Sequence, residues 1–186
     1  MLNIERTNNE LRPSFHLFYK MNPNFPAFKR LITNPILFKL FILQKLSAAF
    51  WAGLSIAHFD EKTCVVRVKY SWFSQNPFRS IYFAVEAMAA EMSAGMLAFG
   101  QVYKRDPAVS MLVEKVEATF TKKATGVVHF TCEDGLAFQA AVEEALVNNS
   151  GSKLVSKSVG TNSAGQQVAE FTISWTFKAK NSNDIL

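Results

Sequence analysis

The chain has 186 residues, 49% of them hydrophobic and 19% charged, which fits one globular domain and excludes a disordered chain. Its formal net charge of +5 would suit an anionic ligand, yet it carries no Lys/Arg-rich run, zinc-finger spacing or RNA-binding signature, so nucleic acid is not an expected partner. Phenylalanine is abundant, 17 residues against 4 Tyr and 3 Trp. Phe adds apolar area with no polar atom to satisfy, so this points to a large core, an apolar cavity or a greasy subunit interface.

Residues 1–12 are polar, lack the apolar run of a signal peptide and read as frayed. Residues 13–46 are apolar segments punctuated by Pro13, Pro23, Pro26 and Pro35. The piece from Pro35 to Leu46 predicts a helix with Pro in its first turn and an apolar stripe of Ile36, Leu37, Leu40, Phe41 and Leu43. Arg12, Lys20, Lys29, Arg30, Lys39 and Lys45 accompany this region without an acid. The favoured expectation is a helical cap, residues 1–46, packed on a sheet or lining the entrance to a site. Lying on an anionic membrane is the less favoured alternative. No stretch has the length of a membrane-spanning helix.

From residue 48 the period changes to two. Phe50, Ala52, Leu54 and Ile56, then Cys64, Val66, Val68 and Tyr70 around an Asp60-Glu61-Lys62 turn, predict a β-hairpin with one apolar face. Asn76-Pro77-Phe78 is a turn signal, followed by an expected helix from about Phe78 to Gly100. The only charges between Ile81 and Gly100 are Glu86 and Glu91, so the helix must be covered on nearly all sides. Gly100 reads as its stop. A strand with Val116, Ala118 and Phe120 on one face follows, then one with Val128, Phe130 and Cys132, and an amphipathic helix from Asp134-Gly135 to about Val147. Two strands close the chain, near 153–160 and 166–178, the second with Ala169, Phe171, Ile173, Trp175 and Phe177 in strict alternation. The order is β-β-α-β-β-α-β-β. An antiparallel sheet with one greasy face and one long apolar helix are complementary, which predicts an α+β hotdog fold. The expected organisation is one domain: the cap, a hotdog domain over 47–180 and a tail over 181–186. Cys64 and Cys132 sit among strand-type residues outside any C-x-x-C motif, and two buried free thiols fit a reducing, cytoplasmic setting. His16, His58 and His129 lie far apart and adjoin no acid at ligand spacing, so no metal site is expected.

The segment from Asn76 through Tyr82-Phe83-Ala84 to Glu91 resembles the active-site segment of hotdog acyl-CoA thioesterases. It is most similar to the thioesterase-like hotdog branch described as a domain of unknown function, and is related to the phenylacetyl-CoA thioesterase branch. That branch carries Asn, then His-Gly-Gly six residues later, then a helical acid nine residues after the His. Here Asn76 stands at the Asn, Tyr82 at the His, Phe83-Ala84 at the Gly-Gly and Glu91 at the acid, and the likeness covers roughly residues 35–180. The resemblance implies thioester hydrolysis at a dimer-interface site. Glu91 would be the general base or nucleophile, the backbone at Ala84 the oxyanion donor, and Asn76 and Tyr82 positioning groups.

The residues themselves add detail. Glu91 shares a helical face with Ala84, Ala87, Met88 and Gly95, where partial desolvation would strengthen it as a base. Glu86 lies about 140° further round, so the two acids are not a catalytic pair. Arg79, Phe83, Met88, Gly95, Lys122 and Lys123 are candidate substrate contacts, the cations for phosphates. The expected substrate is a fatty or aromatic acyl-CoA or another acyl thioester, with coenzyme A part of the substrate and no separate cofactor. The expected assembly is a homodimer, with pairing into a dimer of dimers left open. The altered centre also suits a non-catalytic acyl- or lipid-binding protein.

Overall fold

The computed structural model describes residues 20–148 and 151–180. The expectations of frayed residues 1–12 and of a tail over 181–186 fall outside the described residues, as does the start of the cap.

Among the described residues the cap is three helices. α1 (Phe25–Thr33) buries Phe25, Phe28 and Ile32. α2 (Pro35–Lys45) starts where Pro35 predicts, capped by the Asn34 side chain, which accepts from the N–H groups of Ile36 at 3.0 Å and Leu37 at 3.1 Å. α3 (Ser47–Trp51) corrects the sequence reading, which made this stretch a strand. Ala49 and Ala52 are buried at helical spacing, and Gly53, at φ +78°, ends the helix. Gly53 N–H donates to the Phe50 carbonyl and Leu54 N–H to that of Ala49, a Schellman stop. The alternation from Phe50 to Leu54 was thus a helix end that imitated a strand.

β1 (Ser55–Phe59) and β2 (Cys64–Lys69) form the expected hairpin, later in starting than the alternation suggested. Its turn is held by the Asp60 carboxylate, which accepts from the N–H groups of Lys62 and Thr63. α4 (Phe83–Val102) is the long helix, followed by β3 (Val109–Phe120), β4 (Val127–Cys132), α5 (Gly135–Asn148), β5 (Ser152–Asn162) and β6 (Gln167–Ala179). All neighbouring strands pair antiparallel, in the order β1-β2-β4-β5-β6-β3. Cys64 and Cys132 lie opposite one another in the β2–β4 ladder as buried free thiols.

The sheet grips α4 because every second residue of β6 faces it. Ala169, Phe171, Ile173, Trp175 and Phe177 are at most 1% exposed. Burying one large apolar side chain of this kind contributes about 1.5–3 kcal/mol. The Trp175 indole N–H donates to Ser156 Oγ at 2.9 Å, so its polar atom is satisfied inside the core. α5 lies on the same face of the sheet: Phe138 packs edge-on against Trp175 and Phe177.

Both ends of α4 differ from the expectation of Phe78 to Gly100. Residues 76–81 form a side-chain-closed turn, and α4 begins only at Phe83. Asn76 Oδ1 accepts from the N–H groups of Phe78 and Ser80, while Ile81 N–H bonds the Ala124 carbonyl, which pulls the backbone away from helical geometry. Gly100 does not stop the helix. A Cβ there would lie 2.7 Å from the Phe25 ring, so Gly100 is the seat on which the cap packs. The Asn22 side chain then donates to the Gly100 and Tyr103 carbonyls at 2.9 and 2.8 Å, satisfying orphan acceptors at the helix end.

Among the described residues β1 and β3 are the two edges of the sheet. Val116, Ala118 and Phe120 share a face, as their alternation predicts, and pair with the inward residues Ile173, Phe171 and Ala169 of β6. Among the described residues this end of the strand is only partly covered: Phe83 of α4 touches the Phe120 ring, and Val116 and Phe120 are 47% and 45% exposed.

Candidate active site

Glu91 lies on the least covered line of α4, with Ala84, Ala87 and Met88, each half-buried. It borders an apolar cavity of about 470 Å³ with Phe41, Met92, Met96, Phe99 and Met111. Met88 joins Glu91 in a smaller hollow of about 260 Å³ beside α3. Among the described residues no hydrogen bond or ion pair ties the Glu91 carboxylate. Burial raises its pKa above the ordinary carboxylate value. Gly95, one turn on, makes the position possible: a Cβ at 95 would lie 2.8 Å from Glu91 Oε1 and 3.4 Å from the Trp175 ring. Gly95 therefore seats the acid as well as lining the cavity.

A second cavity, of about 630 Å³, opens at the head of α4, lined by Asn76, Tyr82, Phe83, Glu86, Phe120 and Lys123 among others. Asn76 spends both ends of its amide on the turn: Nδ2 donates to Ser80 Oγ at 3.0 Å and Oδ1 accepts from two N–H groups. Tyr82 is the N-cap of α4 in extended conformation, without a side-chain cap. The first two backbone donors of the helix, on Phe83 and Ala84, meet no acceptor among the described residues, whereas those of Val85 and Glu86 bond the Tyr82 carbonyl. Two free N–H groups at a positive dipole end are what an oxyanion needs. Phe83 packs edge-on against Phe120, with ring centroids 6.4 Å apart, and fills part of the rim. Lys122 lines this cavity but donates to Gln166 at 2.9 Å, and Lys123 is exposed at its edge. Arg79 is exposed and lines none of these cavities. Its φ of +59° is the left-handed backbone for which Gly is the ordinary residue.

The residues singled out in the sequence thus fall into two groups within one chain. Asn76, Tyr82, Phe83, Lys122 and Lys123 line one cavity; Glu91 and Gly95 line the other, and Met88 shares the smaller hollow with Glu91. The sequence reading sets Glu86 aside as pointing away from Glu91 and assigns it no role. Its side chain is 4% exposed, Oε2 is sealed from solvent without a partner, and burial pushes its pKa up to about 7. The signal was present: Glu86 stands three, four and seven residues before Ala89, Ala90 and Ser93, the face of α4 that turns into the core.

The solved structures similar to this chain share its architecture. A Pseudomonas aeruginosa protein of unknown function, described as a probable thioesterase, is 16% identical and superimposes with a TM-score of 0.65 over 86% of this chain and 99% of its own. A mutant thioesterase from the same organism is 14% identical, with a TM-score of 0.60 over 79% and 96%. A Haemophilus influenzae thioesterase is 11% identical, with a TM-score of 0.56 over 75% and 88%. At such identities the likeness establishes the fold, and the fold is the hotdog. No curated protein matches the sequence. The family model described as "Domain of unknown function (DUF4442)" matches residues 36–177, from the start of α2 to the end of β6, and the chain belongs to that family.

Proposed function

We propose that this protein hydrolyses acyl thioesters, acyl-CoA with a fatty or aromatic acyl group, at a site completed by a second copy of the chain. The observation that carries the reading is Glu91, an unpaired and desolvated carboxylate over Gly95 at the wall of an apolar cavity.

The second copy follows from β3. Val109 and Met111, near its start, adjoin the Glu91 cavity, while Phe120, at its end, lines the cavity at the head of α4. Among the described residues its outer edge is unpaired, and its inward face is exposed toward the end, at Val116 and Phe120. Joining two copies edge to edge, antiparallel about a two-fold axis through the middle of β3, sets the start of one β3 beside the end of the other. The Glu91 cavity of one copy then adjoins the α4 head of its partner. The pairing also covers Val116 and Phe120.

In that arrangement the acyl chain occupies the apolar cavity and the thioester carbonyl points at the free N–H groups of Phe83 and Ala84. Glu91 takes a proton from water as the water oxygen bonds to the carbonyl carbon. The resulting oxyanion accepts from the backbone donors. When the tetrahedral intermediate collapses, the C–S bond breaks and the proton passes from Glu91 to the departing sulfur. The raised pKa makes Glu91 a stronger base than an exposed carboxylate. Tyr82, a phenol where the resembled family has imidazole, serves as a hydrogen-bond donor rather than a base. Lys123 is placed to meet a phosphate of the thiol half.

Phe83 favours a second reading, since its ring crowds a rim that Gly-Gly would leave open. A protein that binds acyl thioesters without cleaving them would fit that crowding. A panel of acyl-CoA substrates with thiol detection separates the two. The proposal expects turnover on at least one acyl class and its loss in Glu91→Gln with the melting temperature retained. Tight binding without turnover would establish the second reading.

A further inference from the structure

Helix α2 is apolar on every side. Its inner face, Phe38 and Ile42, is 3% and 1% exposed. Phe41, Lys45 and Leu46 on another flank line the Glu91 cavity. Among the described residues nothing covers the outer face: Ile36, Leu40 and Leu43, at helical spacing, are 71%, 52% and 40% exposed. The sequence reading expected the cap to spend its apolar surface on the sheet or on a site entrance, and this row does neither. A helix with apolar residues all round is covered all round in its working state.

Charge indicates what covers it. From Lys20 to Phe59, the stretch that builds α1, α2, α3 and β1, the sequence has no Asp or Glu. Lys29 is tied to Glu61 at 3.2 Å, but Lys20, Arg30, Lys39 and Lys45 enter no ion pair among the described residues. A second copy meeting this face through its own α2 would bring like charge to like charge. An anionic lipid surface satisfies both features at once, taking the leucine row among its tails and the cations at its headgroups. No helix among the described residues is long and apolar enough to cross a membrane, so the contact lies in the plane of the interface.

We propose that the outer face of α2 docks on an anionic membrane surface, with Ile36, Leu40 and Leu43 below the headgroups and Lys39 among them. The opposite flank of the same helix walls the Glu91 cavity, so docking brings that cavity beside a source of acyl chains. Docking does not depend on Glu91 performing any reaction, and its readout is separate from turnover.

The test is co-sedimentation of the full chain with vesicles of phosphatidylglycerol and phosphatidylcholine mixed roughly one to three. The parent binds these vesicles at low salt, is released at high salt, and leaves vesicles of phosphatidylcholine alone in solution without it. Leu40→Asp lowers the partition coefficient about tenfold or more, because half a leucine side chain no longer enters the lipid and the new charge repels it. Leu40 is exposed, so the variant keeps the parent's circular dichroism and melting temperature. Equal sedimentation of parent and Leu40→Asp, or equal binding to neutral vesicles, overturns the proposal. So does a smaller assembly for Leu40→Asp than for the parent by light scattering, which would mean that a second copy covers α2.

Discussion

Replacing Glu86 by Gln should remove a pH-dependent loss of stability from this protein. One carboxyl oxygen, Oε2, is sealed in the first turns of α4 with no partner, and burial moves the pKa from 4.5 to about 7. Between those values the unfolded chain has released the proton and the folded chain still holds it. Stability therefore falls as pH rises from about 4.5 to 7 and is level above that. The full displacement corresponds to about 3 kcal/mol at 1.36 kcal/mol per pH unit, of which about 2.5 kcal/mol falls between pH 5 and pH 8. Gln has nearly the same shape and does not titrate. Urea unfolding of both proteins at pH 5 and pH 8, at one protein concentration, isolates the effect, because the upward-shifted Glu91 is common to both and cancels. The stability of Glu86→Gln relative to the parent should rise by about 2.5 kcal/mol across that interval. Parallel curves would mean that Glu86 finds a partner or water in solution, and would refute its description as an unpaired buried acid.

Gly95→Ala should abolish most turnover while costing little stability, because the new methyl displaces the Glu91 carboxylate from 2.8 Å while the helix gains about 1 kcal/mol of intrinsic propensity. Acyl-CoA hydrolysis alongside a thermal melt separates the two effects. Gly100→Val should destabilise by about 1–3 kcal/mol, since its side chain would enter the space of the Phe25 ring, 2.7 Å from the Cβ position. Chemical denaturation measures this, and an unchanged midpoint would mean that α1 moves off α4 without cost.

The parts of the fold that could be read from the sequence were those where one face of an element is fully buried. The alternation of β6 from Ala169 to Phe177 is strict because each of those side chains enters the core. In β3 the alternation told which residues share a face but not whether that face is covered, since coverage of an edge strand depends on what lies beyond the chain. α3 was misread because Phe50, Ala52 and Leu54 alternate by coincidence, and the Gly53 backbone conformation that ends the helix leaves only a faint sequence signal. Asn76-Pro77-Phe78 is the turn its sequence signals, but the Asn76 side chain closes that turn on itself and α4 starts only seven residues later, at Phe83. The half-buried setting of Glu91 was legible from its small neighbours. Glu86 points about 140° away from Glu91, and the same spacing argument places it against the core.

The dimer-shared site is tested most directly by mixing two inactive variants. Glu91→Gln lacks the base. Ala84→Pro lacks one backbone donor yet keeps a residue tolerated in the first turn of a helix. If each site takes Glu91 from one copy and the α4 head from the other, a mixed dimer holds one intact site and one doubly defective site. Each variant alone should be inactive, and their mixture after subunit exchange should regain about a quarter of the parent's hydrolytic rate. A mixture as inactive as its components, with exchange confirmed by mass spectrometry, would contradict a site built from two copies.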